Sequence, residues 1–277
     1  MDSSLLFPPL ITAVFDAGRE IMDVAEHRIA VREKDDRSPV TEADERAEWV
    51  ILKALGVLTP GIPVIAEEQV ANSGLPEVED GPFWLVDPLD GTKEFLRGGD
   101  DFTVNIALVE KREPSLGIVY CPKNGRLFGG RVGEGAWQAR LDREGNLGDR
   151  QPMQTTRPAA SPLRIVASRS HRNAETDAYL AHYPDAELVS IGSSLKFCLV
   201  AAGEADLYPR LGPTMEWDTG AGHAVLLAAG GRMVDAAGEP FTYFKPGFRN
   251  GFFLAWGDPE FTPVPLGAVT GGDEGRG

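Results

Sequence analysis

The 277-residue chain is long enough for one large domain or two modest ones, and its 42% hydrophobic and 25% charged residues, with 32 Gly and 21 Pro, fit a soluble α/β protein rather than any disordered class. An excess of 42 acidic over 27 basic residues leaves a formal charge of -15, which repels a nucleic acid polymer unless bound cations intervene. No apolar run approaches the roughly 20 residues of a spanning helix, the opening MDSSLLFPPL has no basic stretch, and Cys121 and Cys198 lie too far apart for a C-x-x-C pair; an integral membrane segment, secretion and a zinc knuckle are disfavoured, and a cytoplasmic location is expected.

Leu10, Ile11, Val14, Phe15, Gly18, Ile21, Met22 and Ala25 recur at helical spacing and predict an amphipathic helix of about 20 residues. A second helix is expected from near Thr41, with Ala47, Val50, Ile51, Ala54 and Leu55 along one side. Short β-rich runs follow at Ile62 to Ala66, Phe83 to Asp87, Thr103 to Val109, Leu116 to Tyr120 and Gly125 to Arg131, separated by Gly, Pro and Asp turns. This half reads as helices packed on a largely antiparallel sheet. The polar stretch from about Leu141 to Pro162 is the candidate boundary. Beyond it, strand-like Leu163 to Ala167, a helix from Asn173, strand-like Glu187 to Ile191, a helix from Ser193, a strand at Asp206 to Tyr208 and a helix after Trp217 alternate as α/β units do. The expected organisation is an α+β domain over residues 1–155, an α/β domain over 156–265 and a disordered, glycine-rich tail over 266–277.

The chemistry concentrates in WLVDPLDGTKEF, Trp84 to Phe95. Asp87 is expected to leave a strand end, with Pro88 fixing a turn that returns Asp90 to the same site. Two carboxylates and the Leu89 carbonyl would then converge, all hard oxygen donors of the kind magnesium takes. Gly91 lets a ligand approach the backbone, and Thr92 opens a helical TKEFLRGG whose free amides suit a phosphate. Read alone, the same residues are equally an Asp-rich turn with a helix cap. Glu67 and Glu68 end another strand, VIAEEQ, and alone read as a solvated loop. Asp218 opens the helix of EWDTGAGHAVLLAAGG and alone reads as an N-cap; Thr41 to Asp44 reads as a capping box. The conjunction of the four segments favours a site.

In that order and spacing, KDDRSPVTEAD (Lys34 to Asp44), AEEQ, WLVDPLDGTKEF and EWDTGAGHAVL resemble the inositol monophosphatase superfamily, from the first helix to about Phe253. DGTKEF, FTVNIAL, SRSH, GSSLKFCLVA and LYPRLGPTMEWDT are similar to its 3'(2'),5'-bisphosphate nucleotidase branch. The resemblance implies a layered αβαβα sandwich with the active site between an N-terminal α+β metal-binding half and a C-terminal α/β substrate-binding half. It implies that Glu67, Asp87 and the Leu89 carbonyl hold one magnesium, that Asp87, Asp90 and Asp218 hold a second, and that a third, weaker ion shares Glu67. Gly91 and Thr92 would bind the scissile phosphate, and Asp44 would hydrogen-bond Thr92 to help position the attacking water. Sensitivity to lithium is a further implication. Charge arithmetic agrees: four carboxylates would repel a phosphate dianion, and two or three magnesium ions bring the site to neutral or positive.

Ser193 and Lys196, three apart, would face one way on a helix and grip a second phosphate; Arg210 suits a bidentate phosphate contact, and His171 follows a strand end where α/β folds bind ligands. Each is read against the plainer alternative of a surface charge or a loop residue. His223 and Cys198 are expected to be packed, and Cys121 to be a buried strand-end thiol. The leading expectation is hydrolysis of a small bisphosphate nucleotide, adenosine 3',5'-bisphosphate, to AMP and phosphate, with its sulfated precursor as a further substrate. An inositol or broad sugar phosphatase is the runner-up, and a noncatalytic nucleotide or metal sensor is argued against by the intact set of Asp44, Glu67, Asp87, Asp90, Thr92 and Asp218. A homodimer is entertained. Peripheral attachment to the inner membrane face finds no basic amphipathic helix or lipidation signal in its support.

Overall fold

The computed structural model describes residues 3–27, 31–33, 39–168 and 173–267. The first half runs α1 (Ser3–His27), β1 (Val31–Glu33), β2 (Pro39–Thr41), α2 (Glu42–Leu58), β3 (Val64–Ala66), α3 (Glu67–Ser73), β4 (Phe83–Asp90), α4 (Thr92–Leu96), β5 (Thr103–Glu110), β6 (Glu113–Tyr120), β7 (Arg126–Arg131), β8 (Gly135–Arg140) and β9 (Gln151–Met153). The second continues with β10 (Arg164–Ser168), α5 (Ala174–Leu180), β11 (Glu187–Ile191), α6 (Leu195–Ala201), β12 (Leu207–Arg210), β13 (Thr214–Met215), α7 (Glu216–Ala228), β14 (Arg232–Asp235), β15 (Arg249–Asn250) and β16 (Phe253–Trp256).

Strands β3 to β9 form a seven-stranded sheet in chain order, antiparallel except for the β3–β4 pair. Alternation along β4 assigns its two faces. Trp84 and Val86 join the cluster made with Leu10, Val14, Ile21, Ile51 and Leu55 of α1 and α2, while Phe83 and Leu85 point to the other side, toward Phe197 of α6 and Ala221 and Val225 of α7. The second sheet has the order β11-β10-β12-β16-β14 and mixes parallel and antiparallel pairs. It splits in the same way: Val166, Tyr208 and Phe253 face α6 and α7, whereas Ile165, Leu207 and Leu254 pack with Tyr179 and Leu180 of α5. The layers are therefore α1/α2, sheet, α6/α7, sheet, α5, the expected αβαβα sandwich.

The middle layer explains why α7 reads as apolar nearly all round. It lies between two sheets and buries Trp217, Ala221, Ala224, Val225 and Leu226. Contact with β6 is so close that a Cβ on Gly117 would stand 2.2 Å from the Ala221 carbonyl oxygen. That proximity brings the first turn of α7 against the sheet.

Boundaries differ from expectation in a few places. Helix α1 begins two turns before Leu10 and carries Pro8 and Pro9 inside it. Burial of Leu6 and Phe7 offsets the two missing N–H donors. The stretch predicted to be irregular contributes β9 as the seventh strand. Of the predicted tail, Leu266 is buried against the α5 side; residues 268–277 lie outside the described residues.

Candidate active site

Asp87 and Asp90 reach one site by a β-bulge rather than by the expected strand-ending turn. On β5 the partners of these two residues, Asn105 and Thr103, are two apart, whereas on β4 they are three apart. The extra residue shifts the phase of alternation, so Asp90 returns to the face that Asp87 shares with Phe83 and Leu85. Pro88 suits the irregularity because it has no N–H to offer the ladder. Asp87 Oδ1 accepts the Leu89 N–H at 3.0 Å, and the Leu89 carbonyl accepts from Thr92 Oγ1 at 3.1 Å.

Two further carboxylates arrive from helix starts. Glu67 opens α3 instead of ending the preceding strand; Glu68 beside it is buried, its N–H donating to Glu48 Oε2 at 2.7 Å. Asp218 is the third residue of α7, not its cap: Met215 caps the helix, and its N–H donates to Asp218 Oδ2 at 2.8 Å. Oxygen atoms of Glu67, Asp87 and Asp218 lie within 4.8 Å of one another. Burial, reinforced by Glu67, Asp90 and Asp218, holds the Asp87 carboxyl well above the ordinary carboxylate range. Burial together with Asp90 and Glu67 pushes Asp218 up to about 8. Asp90 is raised by burial as well, against the opposing pull of Lys196 and Ser194.

Three acids so placed are poorly tolerated as anions unless a cation joins them. The donor set is all oxygen, clustered and open to a cleft, which fits a hard divalent cation and not a soft one. The cleft, about 350 Å³, is lined by Glu67, Asp87, Asp90 and Asp218 on one side and by Ser193, Lys196 and Arg210 on another.

Thr92 Oγ1 also lies 3.2 Å from Asp44 Oδ1, and Asp44 is 2% exposed, so an acid near the start of α2 is fixed against the first residue of α4. Gly91 precedes it with φ of 98°, and a Cβ there would stand 3.0 Å from the Asp101 carbonyl oxygen, so both conformation and space favour glycine. The expected helical TKEFLRGG shortens to Thr92–Leu96.

The substrate-side residues depart from the sequence reading in one respect. Ser193 is not helical: its φ is 48°, and α6 starts at Leu195. Lys196 nevertheless folds back on it, Nζ donating to the Ser193 carbonyl at 2.5 Å. Burial lowers the Lys196 ammonium to about 8, with Asp90 as the principal opposing charge. Arg210 ends β12 and donates through Nη2 to the Pro213 carbonyl at 2.9 Å. His171 lies outside the described residues. His223 is packed as expected, its Nδ1 3.0 Å from the Tyr243 hydroxyl and its pKa lowered by burial to about 3. Cys198 is buried in the core and Cys121 at the end of β6.

Sequence reasoning missed Ser194 and Asn105. Ser194 Oγ lies 3.0 Å from Asp90 Oδ2 and Asn105 Nδ2 donates to Ser194 Oγ at 3.0 Å. The available signal is a polar Asn105 in the middle of the mostly apolar FTVNIAL and a Ser194 directly before the mostly apolar LKFCLV.

A bulged Asp pair, a helix-borne Asp and a helix-borne Glu line one cleft together with Lys196 and Arg210, an arrangement chemically suited to a hard cation beside an anion. Residues 3–251 match the model of the inositol monophosphatase family, and the chain belongs to that family. It is 46% identical over 242 residues to the 3'(2'),5'-bisphosphate nucleotidase CysQ of Escherichia coli O157:H7, covering 84% of this chain and 94% of that protein. The crystal structure of CysQ from Bacteroides thetaiotaomicron superposes with a TM-score of 0.75 at 36% identity, over 93% of this chain and 98% of that one. A Thermotoga maritima IMPase, 23% identical, gives a TM-score of 0.74 over 92% of each chain and shares the fold. No helix among the described residues is long and apolar enough to cross a membrane.

Proposed function

We propose that the chain removes the 3'-phosphate of adenosine 3',5'-bisphosphate, giving AMP and inorganic phosphate, and that it accepts 3'-phosphoadenylyl sulfate in the same way. The observation that carries the reading is one cleft in which clustered Glu67, Asp87 and Asp218 face Lys196 and Arg210. It is supported by similarity to CysQ nucleotidases across most of the chain.

Magnesium is the proposed cofactor, as two or three ions: Glu67, Asp87 and the Leu89 carbonyl would hold one, Asp87, Asp90 and Asp218 a second, and Glu67 would share in a third. Bound there, the ions would supply Lewis acidity, lowering the pKa of water and neutralising phosphate charge. The chain's own residues do the rest. Thr92, held by Asp44, orients the water in line with the ester bond, and Gly91 and Thr92 receive the scissile phosphate. The water oxygen bonds to phosphorus as the bond to the 3'-oxygen breaks; of the two water protons, one ends on the leaving 3'-oxygen as the AMP hydroxyl and the other stays with the released phosphate. Ser193, Lys196 and Arg210 grip the remaining phosphate and the nucleoside, the discriminating half of the site, and His171, assigned from the sequence alone, is proposed to join them. In this division residues 1–155 supply most of the metal ligands and the seat of the scissile phosphate, whereas 156–265 supply Asp218 and the nucleotide-gripping side chains. A cytoplasmic homodimer completes the proposal, its assembly measurable by sedimentation.

Phosphate release across a panel of adenosine 3',5'-bisphosphate, inositol 1-phosphate and sugar phosphates, with magnesium and with chelator, tests it. A kcat/KM for the nucleotide at least about tenfold above the others, lost in chelator, is expected. Preference for inositol 1-phosphate would move the assignment to an inositol phosphatase, and nucleotide binding without turnover to a sensor.

A further inference from the structure

Ser194 is 2% exposed and stands where three elements meet. Its Oγ is 3.0 Å from Asp90 Oδ2 on the β4 bulge and 2.9 Å from the main-chain oxygen of Asp218 on α7. It accepts from Asn105 Nδ2, on β5, at 3.0 Å, and the same nitrogen lies 3.5 Å from Asp90 Oδ2. A hydroxyl carries one proton. Donation from Asn105 occupies an Oγ lone pair and leaves that proton to be shared, as a three-centre bond, between Asp90 Oδ2 and the Asp218 carbonyl. Asn105 itself is 1% exposed, and its Oδ1 has no hydrogen-bond partner among the described residues.

The arrangement opposes a definite force. Asp90 and Asp218 are borne by different elements, one a bulged strand and the other a helix start, and as like charges in a buried site they gain by moving apart. Ser194 touches both, Asp90 through its carboxylate and Asp218 through its main-chain oxygen.

We propose that Ser194 is a positioning residue that holds Asp90 and the first turn of α7 at a fixed separation, and so sets the affinity for the divalent cation that Asp90 and Asp218 would share. This rests on the metal reading under Proposed function. The cost of losing the tie appears in cation binding, and saturating metal restores the rate because Ser194 itself touches no reacting atom.

The test titrates Mn2+ alone, without substrate, into wild type, Ser194→Ala and Ser194→Thr, reading free Mn2+ by electron paramagnetic resonance. Loss of one charge-assisted hydrogen bond predicts about tenfold weaker binding at one class of site in the alanine variant, with threonine close to wild type. In turnover assays the magnesium concentration for half-maximal rate should rise by a similar factor while kcat at saturating magnesium stays within about twofold. Wild-type Mn2+ affinity in folded Ser194→Ala overturns the proposal, as does a kcat loss that saturating magnesium leaves in place, or a threonine variant as weak as alanine. Should Ser194→Ala not fold by circular dichroism, Ser194→Cys, close in shape but a weak donor, is held to the same criteria. Wild type that binds no Mn2+ overturns the metal reading and this inference together, whereas wild-type binding with an unaffected alanine variant overturns this inference alone.

Discussion

Asp218→Asn should make the metal-free protein more stable while destroying its response to magnesium. Asparagine keeps the volume of the side chain and an oxygen for the Met215 N–H, which donates to it at 2.8 Å. What it removes is an ionisable group. Burial, then Asp90 and Glu67, raise the Asp218 carboxyl from 3.8 to about 8. A carboxyl raised on folding holds its proton in the folded state and releases it on unfolding, so stability is greatest below the unfolded pKa and declines as pH rises toward the folded one. Across that interval the unfolded chain ionises while the folded carboxyl keeps its proton, so wild type loses on the order of 4 kcal/mol by about pH 7 but only about 2 kcal/mol by about pH 5. The neutral amide loses neither. In chelator the variant should therefore melt on the order of 10 °C above wild type at neutral pH, and the advantage should about halve at the acid end. Magnesium should reverse the order, because wild type gains the free energy of cation binding and the variant forfeits most of it. Differential scanning calorimetry in chelator and in magnesium, at both pH values, reads all four melting temperatures. A variant that melts at or below wild type in chelator, or one whose advantage does not shrink at low pH, would refute the electrostatic account of the cluster.

Asp90→Asn, which neutralises the bulge carboxylate without changing its volume, should leave less than about a tenth of wild-type turnover at saturating magnesium with an unchanged circular dichroism spectrum. Lys196→Ala combined with Arg210→Ala should raise KM for adenosine 3',5'-bisphosphate about tenfold or more per contact and leave a small phosphomonoester nearly unaffected; equal loss on both substrates would assign the two residues to the catalytic core or to folding. Gly117→Ala places a Cβ 2.2 Å from the Ala221 carbonyl and should cost about 3 kcal/mol or more in urea denaturation, with reduced magnesium affinity in the fraction that folds, because α7 must back away from the sheet.

Much of the site was legible because its residues are punctuated by local chemistry. The run FWLV, an Asp-Pro irregularity and a Gly-Thr helix start announce a strand, a perturbation and an anion-ready turn within a dozen residues. Helices and strands with a clean period, such as α2 and β11, appear where the pattern puts them, Glu187–Ile191 to the residue. What the pattern does not carry is phase. A turn and a bulge at Asp87 to Asp90 place the carboxylates together equally well, and only the pairing with Asn105 and Thr103 decides between them. Likewise Ser193 and Lys196 fit one helical face, yet a positive φ at Ser193 ends that face before it begins and makes the contact through the backbone carbonyl.

Ser194 and Asn105 escaped notice for a different reason. Neither is acidic, basic or glycine, and within FTVNIAL and SSLKFCLV each reads as a polar interruption of a buried run. Their meaning depends on which face of the sheet they occupy. Val104 and Ile106 pack toward α1 and α2, so Asn105 must point the other way, the same direction as Asp87 and Ala107. That face meets the layer made by α6 and α7, and Ser194 is the residue that immediately precedes α6. The carboxylates of the first half and the basic side chains of the second thus share a boundary because the chain places two helices of its second half on the sheet of its first. In a chain with a formal charge of -15, that boundary confronts the acids with Lys196 and Arg210, so the opposed charges that the proposed phosphorylated substrate and its cations would require occur in a single cleft.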